Sequence, residues 1–179
     1  MNHRSPTPHS KGYTLLVLMF AVALLNIGLM VAFPVWQTQI QREREKELIF
    51  RGNQYVEAVR LFQQKYPGSF PQSLKELQKE KCIRRLYKDP ITDHGRWNLV
   101  LSTGQPSREK KGESPQTVMV VPPGSLSSID NPQILGVVSS SHQKSIKIYH
   151  NQETYDRWLF FYGMAPQKMP EIIQYGERD

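Results

Sequence analysis

"KGYTLLVLMFAVALLNIGLMVAFPVWQ", residues 11–37, decides how this chain is read. After Lys11 it holds no charged residue, and neither a charge nor a histidine occurs from Gly12 to Gln41. Residues 13–33 are 21 in number. A helix of that length rises about 30 Å, the thickness of a bilayer's hydrocarbon core. A soluble core helix would show a polar face, and this stretch offers only Thr14 and Asn26. A cleaved export signal has a shorter apolar region followed by small residues at its cut site. Here the run ends in Phe33-Pro34-Val35-Trp36, so the segment is expected to stay in the protein. Trp36 stands where an interfacial aromatic belongs, and a helix kink is expected at Pro34. Basic residues flank both ends, Arg4 and Lys11 before and Arg42, Arg44, Lys46 and Arg51 after. The positive-inside count therefore does not by itself favour a cytoplasmic N-terminus.

Of the 179 residues, roughly 140 follow the apolar run, enough for one small domain with a single core. The formal charge is +7, but the charges are scattered. Arg42, Arg44 and Lys46 alternate with Glu43, Glu45 and Glu47, which reads as the solvated face of a continuing helix. The purely basic clusters, Arg84-Arg85 and Lys110-Lys111, are short, and no basic stripe of a nucleic-acid reader emerges. With one cysteine, Cys82, no internal disulfide forms. A lone cysteine beside Ile83 reads as a small apolar residue.

Beyond Trp36 the pattern turns amphipathic. Leu48, Tyr55, Val59, Phe62 and Tyr66 recur at spacings of seven, four, three and four, one face of a helix. Gly52 weakens it by about 1 kcal/mol relative to Ala, and Pro67, Gly68 and Pro71 end it. A short helix is expected in "PQSLKELQKEK", residues 71–81, with Pro71 in its first turn and Leu74 and Leu77 facing one way. Strands are expected at 97–101, 117–121, 135–138 and 145–149, with a last one in "YDRWLFFYG" after a helical turn. Residues 102–116 read as a polar loop and residues 164–179 as a loose tail. The fold class is α+β: a long N-terminal helix, its first half transmembrane, packed on a small antiparallel sheet.

Candidate chemistry is sparse. His94 lies in an Asp93-His94-Gly95 turn, and Asp89-Pro90 is turn chemistry as well, so Asp89 and Asp93 read as turn residues rather than an acid–base pair. His142 and His150 are eight apart with no cysteine or acid at metal spacing. Ser139-Ser140-Ser141-His142 lacks the G-x-S-x-G elbow of a nucleophilic serine. Asp130, Asn131, Asn151, Glu153 and Asp156 are oxygen donors, but not at the spacing of a calcium loop. The residues point to no enzyme, no cofactor and no metal.

Lys11-Gly12-Tyr13-Thr14-Leu15 before a long apolar run resembles the start of type IV pilin-like proteins, most of all the pseudopilins of type II secretion systems. "YVEAVRLFQQKYPGSFPQSLKEL" and "YKDPITDHGRW" are similar to the stretch after the long helix and to the DP-turn-Gly-aromatic segment of major pseudopilins. The match covers residues 11 to about 100. Pro34 also stands where family members often carry a helix-breaking proline. The resemblance implies a leader peptide, residues 1–12, cut by a prepilin peptidase between Gly12 and Tyr13, with N-methylation of Tyr13. It implies a transmembrane half, 13–36, and a periplasmic domain, 37–163, ahead of the tail at 164–179.

The implied function is structural: a subunit of a type II secretion pseudopilus or a type IV pilus-like fibre, acting in protein secretion from the inner membrane. The implied partners are other pseudopilins or pilins, the peptidase, the inner-membrane platform and membrane lipid, with no nucleic acid. In that family the helices also pack the fibre, and Ala21, Ala23, Gly28 and Ala32 would allow close approach. One position departs from the pattern. The family usually has Glu five residues after the cut, and here Val17 occupies it, which points to a minor or tip subunit or to a divergent system. The alternative is a single-span, membrane-anchored periplasmic binding domain that does not polymerise.

Overall fold

The computed structural model describes residues 11–103, 117–164 and 170–176. Positions 1–10 of the expected leader, 104–116 of the expected polar loop, and 165–169 and 177–179 of the expected tail lie outside the described residues. Helix α1 (Lys11–Lys65) continues through the position of Pro34, so the proline does not end it. The chain divides into two compact units, Met1–Gln41 and Arg42–Asp179.

In the second unit α1 is followed by α2 (Leu74–Lys79). Five strands form one sheet in the order β6 (Phe160–Phe161), β3 (Ile134–Ser139), β1 (Trp97–Ser102), β2 (Thr117–Val121), β7 (Glu171–Gln174). A separate two-stranded sheet pairs β4 (Lys144–Tyr149) with β5 (Gln152–Thr154). Short 3-10 turns cover Pro123–Ser128 and Tyr155–Arg157. The α+β class holds, but the sheet is mixed rather than antiparallel. β1 pairs antiparallel with β2 and β3, and β3 with β6, while β7 runs parallel to β2 from Thr117↔Glu171 to Val120↔Gln174. The expectation of a loose tail is therefore corrected for its described residues 171–174. Without β7 the outer edge of β2 would present unpaired backbone groups, and Ile172 adds apolar contact to the same layer.

The alternation of the strands divides the apolar residues between the two sheet faces. Leu99, Leu101, Val121, Ile134 and Val137 join the cluster that includes Leu48, Tyr55, Ala58, Val59 and Phe62 of α1 and Leu77 of α2. Val100, Val118, Val120, Leu135 and Val138 form a second cluster with Leu159 and Phe161. The helix face read from the sequence is buried, except for its last member. Tyr66 is 40% exposed; its ring rests on Phe62 at 5.1 Å and its hydroxyl donates to Glu80 Oε2 at 2.7 Å.

Two local corrections concern termini and phase. Pro71 lies before α2 rather than in its first turn. Ser73 is the N-cap, its Oγ accepting from the Glu76 N–H at 3.2 Å, and Glu76 reaches back to the Gln72 N–H at 2.7 Å. Pro71 instead offers its carbonyl to the Ile134 N–H at 3.0 Å. In β4 the isoleucines face outward, Ile148 being 68% exposed, while Tyr149 turns in against Trp158 and Phe160, centroids 5.3 and 5.4 Å apart. A large aromatic ring buries more area than a branched aliphatic, so Tyr149 sets the phase of the strand.

At Gly52 the backbone of α1 lies close against Phe160 of the sheet. A Cβ there would lie 2.3 Å from the Phe160 ring. The glycine costs helix propensity but admits the ring. Gly52→Ala, which raises propensity by about 1 kcal/mol, is expected to destabilise the protein by about 1–3 kcal/mol through overpacking. Denaturant melts of parent and variant check this, and a stabilised variant would show that Phe160 does not rest on the helix backbone.

Candidate functional site

An exposed apolar surface runs along the first half of α1. Every described large apolar side chain from Tyr13 to Trp36 is exposed. This is the one helix among the described residues long and apolar enough to span a membrane, with none of its apolar window buried in the chain. Apolar area of this extent is costly in water. Asn26 does not interrupt it, because its Nδ2 donates to the Val22 carbonyl at 2.8 Å within the helix. A polar group satisfied on its own helix can face lipid or another helix at low cost. Ala21 and Gly28 lie seven apart, two turns along one face, and nothing stands within 4 Å of where a Gly28 Cβ would be. Gly12 and Tyr13 sit in the first turn, both exposed, with open space around Gly12. Val17 is likewise apolar and exposed.

The polar candidates do not assemble into a reactive centre. Ser139 is buried and its hydroxyl donates to Asp89 Oδ2 at 2.6 Å, while Asp89 Oδ1 accepts the Ile91 N–H at 2.8 Å and the Asp89 N–H reaches Gly95 O at 3.0 Å. Asp89 thus closes its own turn and ties it to β3. Ser140 donates to Arg96 O at 3.4 Å, and Ser141 Oγ accepts from the Gln143 N–H at 3.4 Å. His142 is paired instead with Asp156, Nδ1 to Oδ2 at 3.1 Å, on the surface. Asp93, His94, Asp130, Asn151 and Glu153 are exposed, His150 lies at the β4–β5 turn with φ 48°, and Asn131 accepts from Gln72 Nε2 at 2.8 Å. Among the described residues no group of three or more His, Cys, Asp or Glu could hold a metal ion. Burial raises the Cys82 thiol's pKa and keeps it protonated, which weakens it as a nucleophile.

The carboxylate that the sequence reading missed is Glu45. Taken as part of a solvated charge run, it is fully buried. Its Oε1 accepts the Ile146 N–H at 2.6 Å and the Tyr155 hydroxyl at 2.8 Å, and its Oε2 accepts the Lys147 N–H at 3.2 Å. Glu45 precedes Leu48 by three residues and so shares its helix face, a spacing visible in the sequence. The alternating signs around it masked that signal.

In comparison with known proteins, no family model, no curated protein and no solved structure matches this chain.

Tyr55 shows how firmly the helix is seated. Its hydroxyl donates to Tyr87 O at 2.8 Å, a carbonyl that also accepts Trp97 Nε1 at 2.9 Å, and Arg51 Nη1 donates to Lys88 O at 2.7 Å. Burial pushes the Tyr55 pKa up to about 12. The folded state favours the neutral phenol, so this contribution to stability is complete below about pH 10, the unfolded value, and is lost as pH rises through about 12. Tyr55→Phe is expected to cost about 1 kcal/mol at pH 8 through the lost hydrogen bond, with the gap from the parent narrowing at pH 11. Urea melts at the two pH values measure it; an unchanged gap would place the alkaline loss elsewhere.

Proposed function

We propose that this chain is a pilin-like subunit of an envelope fibre, most like a pseudopilin of a type II secretion system. The observation that carries the reading is the pairing of an exposed Gly12-Tyr13 start with an apolar helix whose described large side chains are all exposed. α1 then changes, within the same helix, to the buried face of an α+β unit. On this reading a prepilin peptidase removes residues 1–12 and Tyr13 becomes the methylated N-terminus. The helix sits in the inner membrane with the α+β unit in the periplasm, and the platform protein and other pseudopilins draw it into a fibre. The requirement that one helix suit lipid first and protein neighbours later favours what Asn26 and Gly28 provide: a satisfied amide and a face without a side chain.

Val17 refines the proposal. A chain without a carboxylate there cannot accept a neighbour's N-terminal amine, but it can offer its own amine at Tyr13 to a neighbour that has one. That asymmetry suits the end of a fibre or a mixed fibre. The competing reading, a single-span anchored binding domain that does not polymerise, shares the span but not the cut.

Two measurements test this. Intact mass of the membrane-purified protein is expected to show a chain beginning at Tyr13 and carrying one added methyl; a chain beginning at Met1, or cut beyond Trp36, would end the pilin-like reading. Val17→Glu is expected to increase self-association in membranes that contain the peptidase, as read by chemical cross-linking. The increase should be modest, because desolvating both charges offsets much of their attraction. Abundant homopolymer from the parent chain would remove the minor-subunit proposal.

A further inference from the structure

We infer that Glu45 is a latch: its buried carboxylate holds the β4–β5 hairpin on α1 as a separately releasable element of the fold. The hairpin shares no strand pairing with the five-stranded sheet. Its own ladder is short and irregular, with Lys144↔Thr154 and Tyr149↔Gln152 in register and a shift between them. An isolated two-stranded hairpin is marginal in water. This one also turns Ile146 and Ile148 to solvent, so little of its apolar surface secures it. What seats it is a small set of contacts. Tyr149 packs on Trp158 and Phe160, Trp158 Nε1 donates to Gln152 O at 3.1 Å, and Glu45 takes three donors.

The geometry at Glu45 is specific. In a regular strand successive amides point to opposite sides. Here the successive amides of Ile146 and Lys147 converge on one carboxylate, and the register shift of the hairpin supplies the local distortion this needs. Among the described residues no lysine, arginine or histidine lies within ion-pair distance of Glu45. Its two oxygens are met by the amides of Ile146 and Lys147 and the Tyr155 hydroxyl. A buried carboxylate depends strongly on such donors, and the amides equally need an acceptor once water is excluded. The clamp is therefore two-position in character. Seated, every partner is satisfied; released, all of them must return to water together, and the rings of Tyr155 and Trp158, now buried, are uncovered.

Amide hydrogen exchange on the full-length protein in detergent micelles tests the latch. Glu45→Gln keeps the side chain's shape and turns one acceptor into a donor facing other donors. Exchange at Ile146 and Lys147 is expected to rise by about ten- to a hundredfold, while Val100 and Val137 of the main sheet stay within about twofold of the parent. Tyr155→Phe, which removes one donor and leaves the carboxylate, is expected to give a smaller rise confined to the same two amides. If Glu45→Gln does not fold, the Tyr155→Phe pattern decides alone. Equal loss of protection in both sheets would show that the hairpin is not a separate element, and unchanged protection at Ile146 and Lys147 would show that Glu45 does not hold it. Either result overturns the inference.

Discussion

The spacing of the α+β unit depends on Phe160, which is held between two bare stretches of backbone. On one side its ring meets α1 at Gly52, where a Cβ would come within 2.3 Å of it. On the other, its carbonyl passes Gly136 of β3, where a Cβ would come within 1.9 Å. The same ring lies edge-on to Trp97 of β1 at 6.3 Å and tilted to Tyr149 of β4 at 5.4 Å. One side chain thereby touches the long helix, the main sheet and the hairpin. Glycine is costly in the interior of a helix or a strand, and both glycines are tolerated because any side chain there would push the layers apart.

Around that centre the polar groups act as ties rather than reagents. Asp89 fixes the turn before β1 and anchors it to Ser139, Tyr87 and Lys88 offer carbonyls to Tyr55 and Arg51 of the helix, and Glu45 gathers the hairpin. Asp89 Oδ2, the Tyr87 and Lys88 carbonyls and Glu45 each accept a donor from a different element, the arrangement expected of buried polar groups that define a fold. Ser139, Ser140, Ser141 and His142, which invite a catalytic reading in the sequence, are engaged in structural hydrogen bonds as well. The apolar half of α1, by contrast, leaves its described large side chains exposed.

Much of this was legible. The apolar run, the amphipathic face at Leu48, Tyr55, Val59 and Phe62, and the strands at Trp97, Thr117 and Leu135 follow from periodicity, because burial on one face leaves a period in the sequence. What escaped did so for local reasons. Glu45 is indistinguishable by residue type from its exposed neighbours Glu43 and Glu47, and only its phase with Leu48 sets it apart. The alternation of Ser145, Ile146, Lys147, Ile148 and Tyr149 announced a strand, but which face is buried needed the structure, since two isoleucines in phase outvote one tyrosine on any hydropathy count. The strand at 171–174 was hidden because "EIIQ" is short and pairs with a segment more than fifty residues earlier. Of the candidate site, the span was plain, the exposed Gly12–Tyr13 bond was marked only by resemblance, and the satisfied state of Asn26 needed the structure.

The central claim is that the apolar half of α1 is a protein-packing surface and not only an anchor. Site-specific photo-cross-linking in native membranes tests it most directly, with a photoreactive phenylalanine placed in turn at each position from Leu15 to Leu29. The account predicts protein adducts whose yield rises and falls with the three-to-four-residue period of a helix, highest on the face of Ala21 and Gly28. Adducts to lipid alone, with no periodic protein capture at any position, would contradict it.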